Sequence, residues 1–343
     1  MFLLSSFSFV GPRAMRKRAE KITIATDGAR EPLTRPYVDL REIPPPAAWG
    51  VSIDRGAIDR LAGRLAGHMF EPASYDYEGT PEFSGEDWGR FVLLGVAVVW
   101  RLWPPPNRAA WGVREAGGLV EDAPGIWTCF RREPNSLDLD WHAAGGAGVS
   151  FFAGEGFLQD VPRRIERLRD VARGLLDLHS GSVLGMIERA GGDAISLRDL
   201  LVKTVPGYHD RPDSPAGRLP FDKLANLAVT MLAARLPITG VERFPVFPDY
   251  MVPRHLRHEG VLVYADELAA DVDEGRLIDP GSTEEMAIRW ASIFGAELLR
   301  QELSKQGNPV TTPDLDYWLW FEAVLGPRAG AMGRHHLCIT EAY

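Results

Sequence analysis

The strongest constraint on this fold is a succession of segments with apolar residues at helical spacing, separated by proline and glycine, that fills the second half of the chain. Arg163 to Leu178, Ser182 to Arg189 and Leu197 to Lys203 each repeat apolar residues every three or four positions, the pattern of a helix with one buried face. A loop with Pro206, Pro212 and Pro215 follows, then a helix over Phe221 to Leu236 and a tight turn at Pro237-Ile238-Thr239-Gly240. Ser282 with Glu285 forms a capping box that opens a helix running through Lys305. Thr312-Pro313 supplies an N-cap and a first-turn proline for a last helix bearing Tyr317 and Trp320.

The first half obeys the same logic less regularly. Asp54 is positioned to cap a helix with Ile58, Leu61, Leu65 and Met69 on one face. The apolar run Phe91 to Trp103 is too short to cross a bilayer and reads as a buried helix, stopped by Pro104-Pro105-Pro106. Residues 110–155 are glycine-rich, with a short hairpin expected around Val120 and Ile126-Trp127-Thr128. The fold class is therefore mainly α, a single large helical domain over residues 51–343 with a small β element. Residues 1–50 read as a disordered or extended arm, rich in proline and charge from Asp27 to Gly50. The apolar stretch at Met1 to Val10 precedes its basic residues, the reverse of a secretory signal, and Met15 is an alternative start.

A chain of 343 residues with a formal net charge of −9 lacks the basic face that gripping nucleic acid requires. A single mononucleotide needs only one or two cations, so a small-molecule nucleotide partner stays open. Cys129 and Cys338 are too few for a disulfide framework and have no zinc-site spacing, which fits a reducing cytoplasm. A cytoplasmic monomer is expected, with no membrane partner, no metal and no cofactor.

Chemistry concentrates at Phe247-Pro248-Asp249-Tyr250, followed by Met251-Val252-Pro253. An aspartate at a proline-flanked turn opening a helix meets free N–H groups and the positive end of the helix dipole. It serves there as a cap, or as a fixed charge aimed at whatever binds in front.

The run from Phe247 to Tyr264, F-P-D-Y-M-V-P-R-H-L-R-H-E-G-V-L-V-Y, resembles the signature of the queuosine salvage family. Val205-Pro206-Gly207-Tyr208-His209-Asp210, Phe221-Asp222-Lys223-Leu224-Ala225-Asn226 and Leu315-Asp316-Tyr317-Trp318-Leu319-Trp320 resemble further motifs of that family in the same order. The departures lie nearer the N-terminus. Ala97-Val98-Val99-Trp100-Arg101-Leu102-Trp103 stands where the family has L-N-F-S-F-W, and Gly125-Ile126-Trp127-Thr128-Cys129 where it has G-Y-W-S-L. The resemblance implies a hydrolase that releases queuine from queuosine 5′-monophosphate. The order of helix, glycine-containing turn and aspartate at the next helix start is also similar to the core of helix-hairpin-helix DNA glycosylases. An N-glycosidase for a different modified nucleotide, or a non-catalytic nucleotide or base binder of the same fold, remains compatible with the altered motifs.

Cleaving a ribose–base bond passes through an oxocarbenium-like sugar, which a carboxylate beneath the anomeric carbon stabilises. Queuine is a 7-deazaguanine and lacks the ring nitrogen that ordinary purine hydrolases protonate, so more of the barrier must be met at the sugar. The resemblance assigns this role to Asp249. Lys223 either meets the 5′-phosphate or is a solvated lysine, and Asp210 either binds substrate hydroxyls and N–H groups or shapes its turn. Trp103 and Trp127 stack on the base or simply belong to the core. Tyr250 lines the pocket or packs the helix start. Asp316 and Tyr317 combine capping and packing with possible reach into the pocket, and His335, beside His336, closes the site or stands apart. His258 and Glu285 are read as structural.

Overall fold

The computed structural model describes residues 37–73, 80–105 and 107–343, and the expectations for the first 36 residues lie outside them. The described chain is mainly α. Its helices are α1 (Arg55–Arg64), α2 (Gly85–Val96), α3 (Asp122–Arg132), α4 (Leu139–Ala143), α5 (Val161–His179), α6 (Val183–Arg189), α7 (Ala194–Thr204), α8 (Lys223–Ala233), α9 (Met251–His258), α10 (Asp266–Glu274), α11 (Thr283–Lys305) and α12 (Thr312–Val324). Short strands join in pairs: β1 (Val51–Ile53), β2 (Gly112–Glu115), β3 (Gly118–Glu121), β4 (Asp213–Ser214), β5 (Gly217–Arg218), β6 (Leu262–Tyr264), β7 (Leu277–Ile278) and β8 (Leu337–Cys338). β1 runs antiparallel to β6, β2 to β3 and β4 to β5, while β7 and β8 are parallel. The single β element of the sequence reading is thus four two-stranded pieces among the described residues. No described helix is long and apolar enough to cross a membrane.

Side-chain capping accounts for half of the described α-helix starts. Asp54 accepts a 3.1 Å bond from Ala57 N, Ser182 one of 2.9 Å from Gly185 N, and Ser282 one of 3.2 Å from Glu285 N. Four expectations are corrected. The apolar helix covers Gly85–Val96 instead of Phe91 to Trp103. After Val96 the backbone tightens into i→i+3 bonds (Val98 N to Gly95 O, 3.0 Å) and Arg101 turns to φ 46°, so the chain leaves the helix well before the prolines. The hairpin is β2–β3, and Ile126-Trp127-Thr128 belongs to α3. Met69 is 88% exposed because α1 has already ended at Arg64. The cap of α12 is Thr311, one residue before the expected Thr312.

Two large hydrophobic cores, with a small third cluster of Trp103, Tyr250, Cys338 and Tyr343, organise these elements. One gathers Phe91 and Val92 of α2, Trp127 and Phe130 of α3, Leu168 and Val171 of α5 and Leu224 and Val229 of α8. The other gathers Leu61 of α1, Leu256 of α9, Trp290 and Ile293 of α11 and Leu315 and Leu319 of α12. Between α8 and α9 the chain passes through Pro237 to Gly240, where Thr239 N and O bond Gly192 O (2.9 Å) and Ala194 N (2.9 Å). It then reaches the Phe247–Tyr250 turn, where the two cores meet. The region ends in β6, a strand paired with β1 rather than a continuation of helix.

Candidate active site

A cavity of about 60 Å³ lies at this seam. Its floor and walls come from five places: Val99 and Leu102 of the segment after α2, Asp122 and Trp127 of α3, Lys223, Leu227 and Met231 of α8, Phe247, Asp249 and Tyr250 of the turn, and Asp316 and Trp320 of α12.

Asp249 is held by the start of α9. Its Oδ1 accepts from Met251 N at 2.7 Å and Val252 N at 2.9 Å, so it caps the helix and lines the cavity at once. The cap expected from the sequence is present, and the same carboxylate lies in the cavity lining. Among the described residues the carboxylate takes no hydrogen bond beyond these two. Burial raises its pKa above the ordinary carboxylate value, opposed by the Lys223 charge and the two N–H bonds.

Lys223 is the first residue of α8. The residue before it, Asp222, is fully buried with φ 44° and is fixed by Arg211 at 3.0 and 2.7 Å. This anchored left-handed residue turns the chain so that Lys223 enters the cavity wall instead of solvent. Burial pulls the lysine pKa down, while Asp249, Asp316 and Asp122 pull it up through space.

The turn itself is suspended from two sides. Asp316 accepts a 2.5 Å bond from Phe247 N. Arg289, buried on α11, donates to Pro248 O at 3.0 Å. The same guanidinium pairs with Asp210 and with Glu285 (3.3 Å), and lies 4.0 Å over the Phe221 ring and 4.5 Å over Tyr343. Asp210 is therefore spent on Arg289 and is not among the residues lining the cavity. Its carboxylate connects to the site through Arg289 and the Pro248 carbonyl, and its own carbonyl accepts from Phe221 N and Asp222 N at 3.1 Å each, next to Lys223.

Trp127 lines the cavity and is also core, 5.2 Å from Phe91 in an edge arrangement. Gly95 makes this possible, since a Cβ there would stand 2.6 Å from the Trp127 ring. Trp103 and His335 line an adjoining cleft instead, which shares Leu102, Asp122 and Tyr250 with the first cavity. The His335 ring packs 4.8 Å from Tyr250 and 6.1 Å from Trp103, and burial lowers its pKa to about 4. Tyr317 is outside both linings and packs 6.2 Å from Trp320. His258 is exposed at the end of α9, and Glu285 joins the Arg289 node.

Sequence reasoning passed over Asp122. It opens α3 with φ 56°, and its carboxylate accepts from Ala123 N at 2.8 Å. A signal was present, because Asp122-Ala123-Pro124 repeats the pairing of aspartate and proline at a helix start seen at Pro248-Asp249. The replaced segment 97–103 was also hard to place. Its shape depends on Arg164 of α5, fully buried, which donates to Trp100 O at 2.7 Å and Arg101 O at 3.2 Å, also bonds Val98 O, and lies 4.1 Å over the Trp100 ring.

Fold and site together define a mainly α protein whose buried, largely apolar cavity carries a helix-capping carboxylate opposite a lysine. The model of the queuosine salvage protein family matches residues 155–340, and the chain belongs to that family. Among its relatives is a protein of Sphaerobacter thermophilus named queuosine 5′-phosphate N-glycosylase/hydrolase, 26% identical over 303 residues that cover 84% of this chain and 92% of the relative. Proteins with the same name from Mus musculus (30% over 166 residues, 45% of this chain and 49% of the relative) and Dictyostelium discoideum (28% over 198 residues, 54% and 60%) are also similar.

Proposed function

We propose that the protein hydrolyses the N-glycosidic bond of queuosine 5′-phosphate and releases queuine, the activity named for its relatives. The observation that carries this reading is Asp249, a carboxylate capped by two backbone N–H groups and facing an apolar cavity that also holds Lys223. A carboxylate fixed in this way needs no reorganisation as positive charge develops on the sugar, and low polarity around it strengthens the attraction. As the C1′–N bond breaks, the bonding pair leaves with the base, which takes up a proton from solvent. A water attacks C1′ from the other face, and Asp249 takes a proton from it. Trp127 and Trp320 supply flat apolar walls suited to a base, and Lys223 is assigned to the 5′-phosphate.

The helix-hairpin-helix comparison belongs to this reading, since α8, the connecting turn and Asp249 at the head of α9 follow that order. The test is incubation of the purified protein with queuosine 5′-phosphate and guanosine 5′-monophosphate, followed by chromatographic detection of free base. Release of queuine with guanosine monophosphate left intact is expected. Release of guanine alone would move the assignment to another base, and no release from either would remove it.

A further inference from the structure

We infer that Asp122, where the two cavities meet, is a specificity-determining residue that binds a cationic substituent of the base, with the adjoining cleft as the subsite for that substituent. The inference rests on the queuosine reading for the identity of its ligand.

Charge is the first argument. Three carboxylates (Asp122, Asp249 and Asp316) and one ammonium (Lys223) line the cavity. With Lys223 assigned to the 5′-phosphate, the charged groups that the lining leaves for the base are carboxylates, which favour a base that brings positive charge or several N–H donors. Asp249 and Asp316 already have structural partners in Met251, Val252 and Phe247 N–H groups. Asp122 has only the N–H of its own neighbour, Ala123, among the described residues. Position is the second argument. Asp122, Leu102 and Tyr250 line both cavities, so a group leaving the base beside Asp122 passes directly into the cleft walled by Trp103, Trp111 and Glu121. Conformation is the third. A non-glycine residue at φ 56° is uncommon and is retained where its surroundings fix it, often at ligand sites. Burial also raises the Asp122 pKa, with Asp249 adding to the rise, and an arriving cation would relieve both effects.

The base of queuosine carries a secondary amine, protonated at neutral pH, that ends in a ring with two hydroxyls. That group has the charge for Asp122 and the shape for a cleft with aromatic walls and a second carboxylate, Glu121.

The test compares the binding of free queuine and of 7-deazaguanine, which lacks the arm, by calorimetry on the intact protein. The parent protein should prefer queuine. Asp122→Asn should cut that preference by about 10- to 150-fold, the range for a hydrogen bond to a charged group. Asparagine tolerates left-handed φ well, and an unchanged thermal midpoint verifies the fold. Should the variant not fold, Glu121→Gln on the exposed side of the cleft carries the test, with a smaller loss of the same preference expected. A preference unchanged by the variant, or equal losses for both bases, overturns the subsite. Selective queuine binding without cleavage of queuosine 5′-phosphate would instead sink the hydrolase reading and leave the subsite standing.

Discussion

Replacing Asp249 by asparagine isolates its charge from its architecture. The side-chain oxygen that accepts from Met251 N at 2.7 Å and Val252 N at 2.9 Å is retained in the amide. Asparagine and aspartate are near-equal N-caps, so stability should change by less than about 1 kcal/mol, whereas Asp249→Ala should lose about 1–2 kcal/mol with the cap. What asparagine removes is the negative charge facing the cavity. Loss of one preorganised hydrogen-bond donor at a catalytic site costs about 10²–10³ in rate, or roughly 2.7–4 kcal/mol. Loss of a full charge within an apolar cavity should cost at least as much. The assay is single-turnover release of queuine with enzyme in excess, so that product release does not mask the chemical step, alongside thermal unfolding of both variants. Turnover of Asp249→Asn within a few-fold of the parent would refute the charge argument. So would equal loss in both variants accompanied by the same fall in stability, which would make Asp249 a cap and nothing more.

Lys223→Ala should shrink the preference for queuosine 5′-phosphate over the free nucleoside by about 10- to 150-fold, measured as the ratio of kcat/KM values; a surviving preference would assign the lysine to balancing the carboxylates around it. Asp210→Ala leaves Arg289 without its main buried partner and should destabilise the fold by about 3 kcal/mol, read from urea unfolding, with Glu285 limiting the loss. Because burial raises the Asp249 pKa, the active ionised form is lost as pH falls, and the acidic limb of kcat/KM should lie above the ordinary carboxylate range; a limb at or below that range would contradict it. His335 and His336 are held neutral, with pKa values lowered from 6.5 to about 4 and about 3. The unfolded chain therefore binds more protons than the folded one below about pH 6.5, so their contribution is complete above that pH and declines toward pH 4. Melting curves over this window should show the decline, and a His335→Gln, His336→Gln variant should flatten it.

The helices of the second half were legible because their ends are written locally. Ser282 and its partner three residues on, or the proline after Thr312, fix a terminus without help from distant residues. Asp249 was legible for the same reason, since a cap is a local device. The segment 97–103 was not, because its departure from helix is set by Arg164, more than sixty positions away, gripping three of its carbonyl groups. Asp210 looked like a turn residue or a ligand contact, and only the fold brings Arg289 to it across 79 positions. Asp122 lay in a stretch whose glycines masked a helix start.

The two suspensions of the cavity have a consequence for how such a site diversifies. The Phe247–Tyr250 turn hangs from Arg289 and Asp316, whereas the wall at 97–103 hangs from Arg164. The turn and the wall are thus held from different parts of the fold and meet at the cavity. Changes within residues 97–127 can therefore reshape one wall of the cavity while leaving intact the hydrogen bonds that hold Asp249 and its turn.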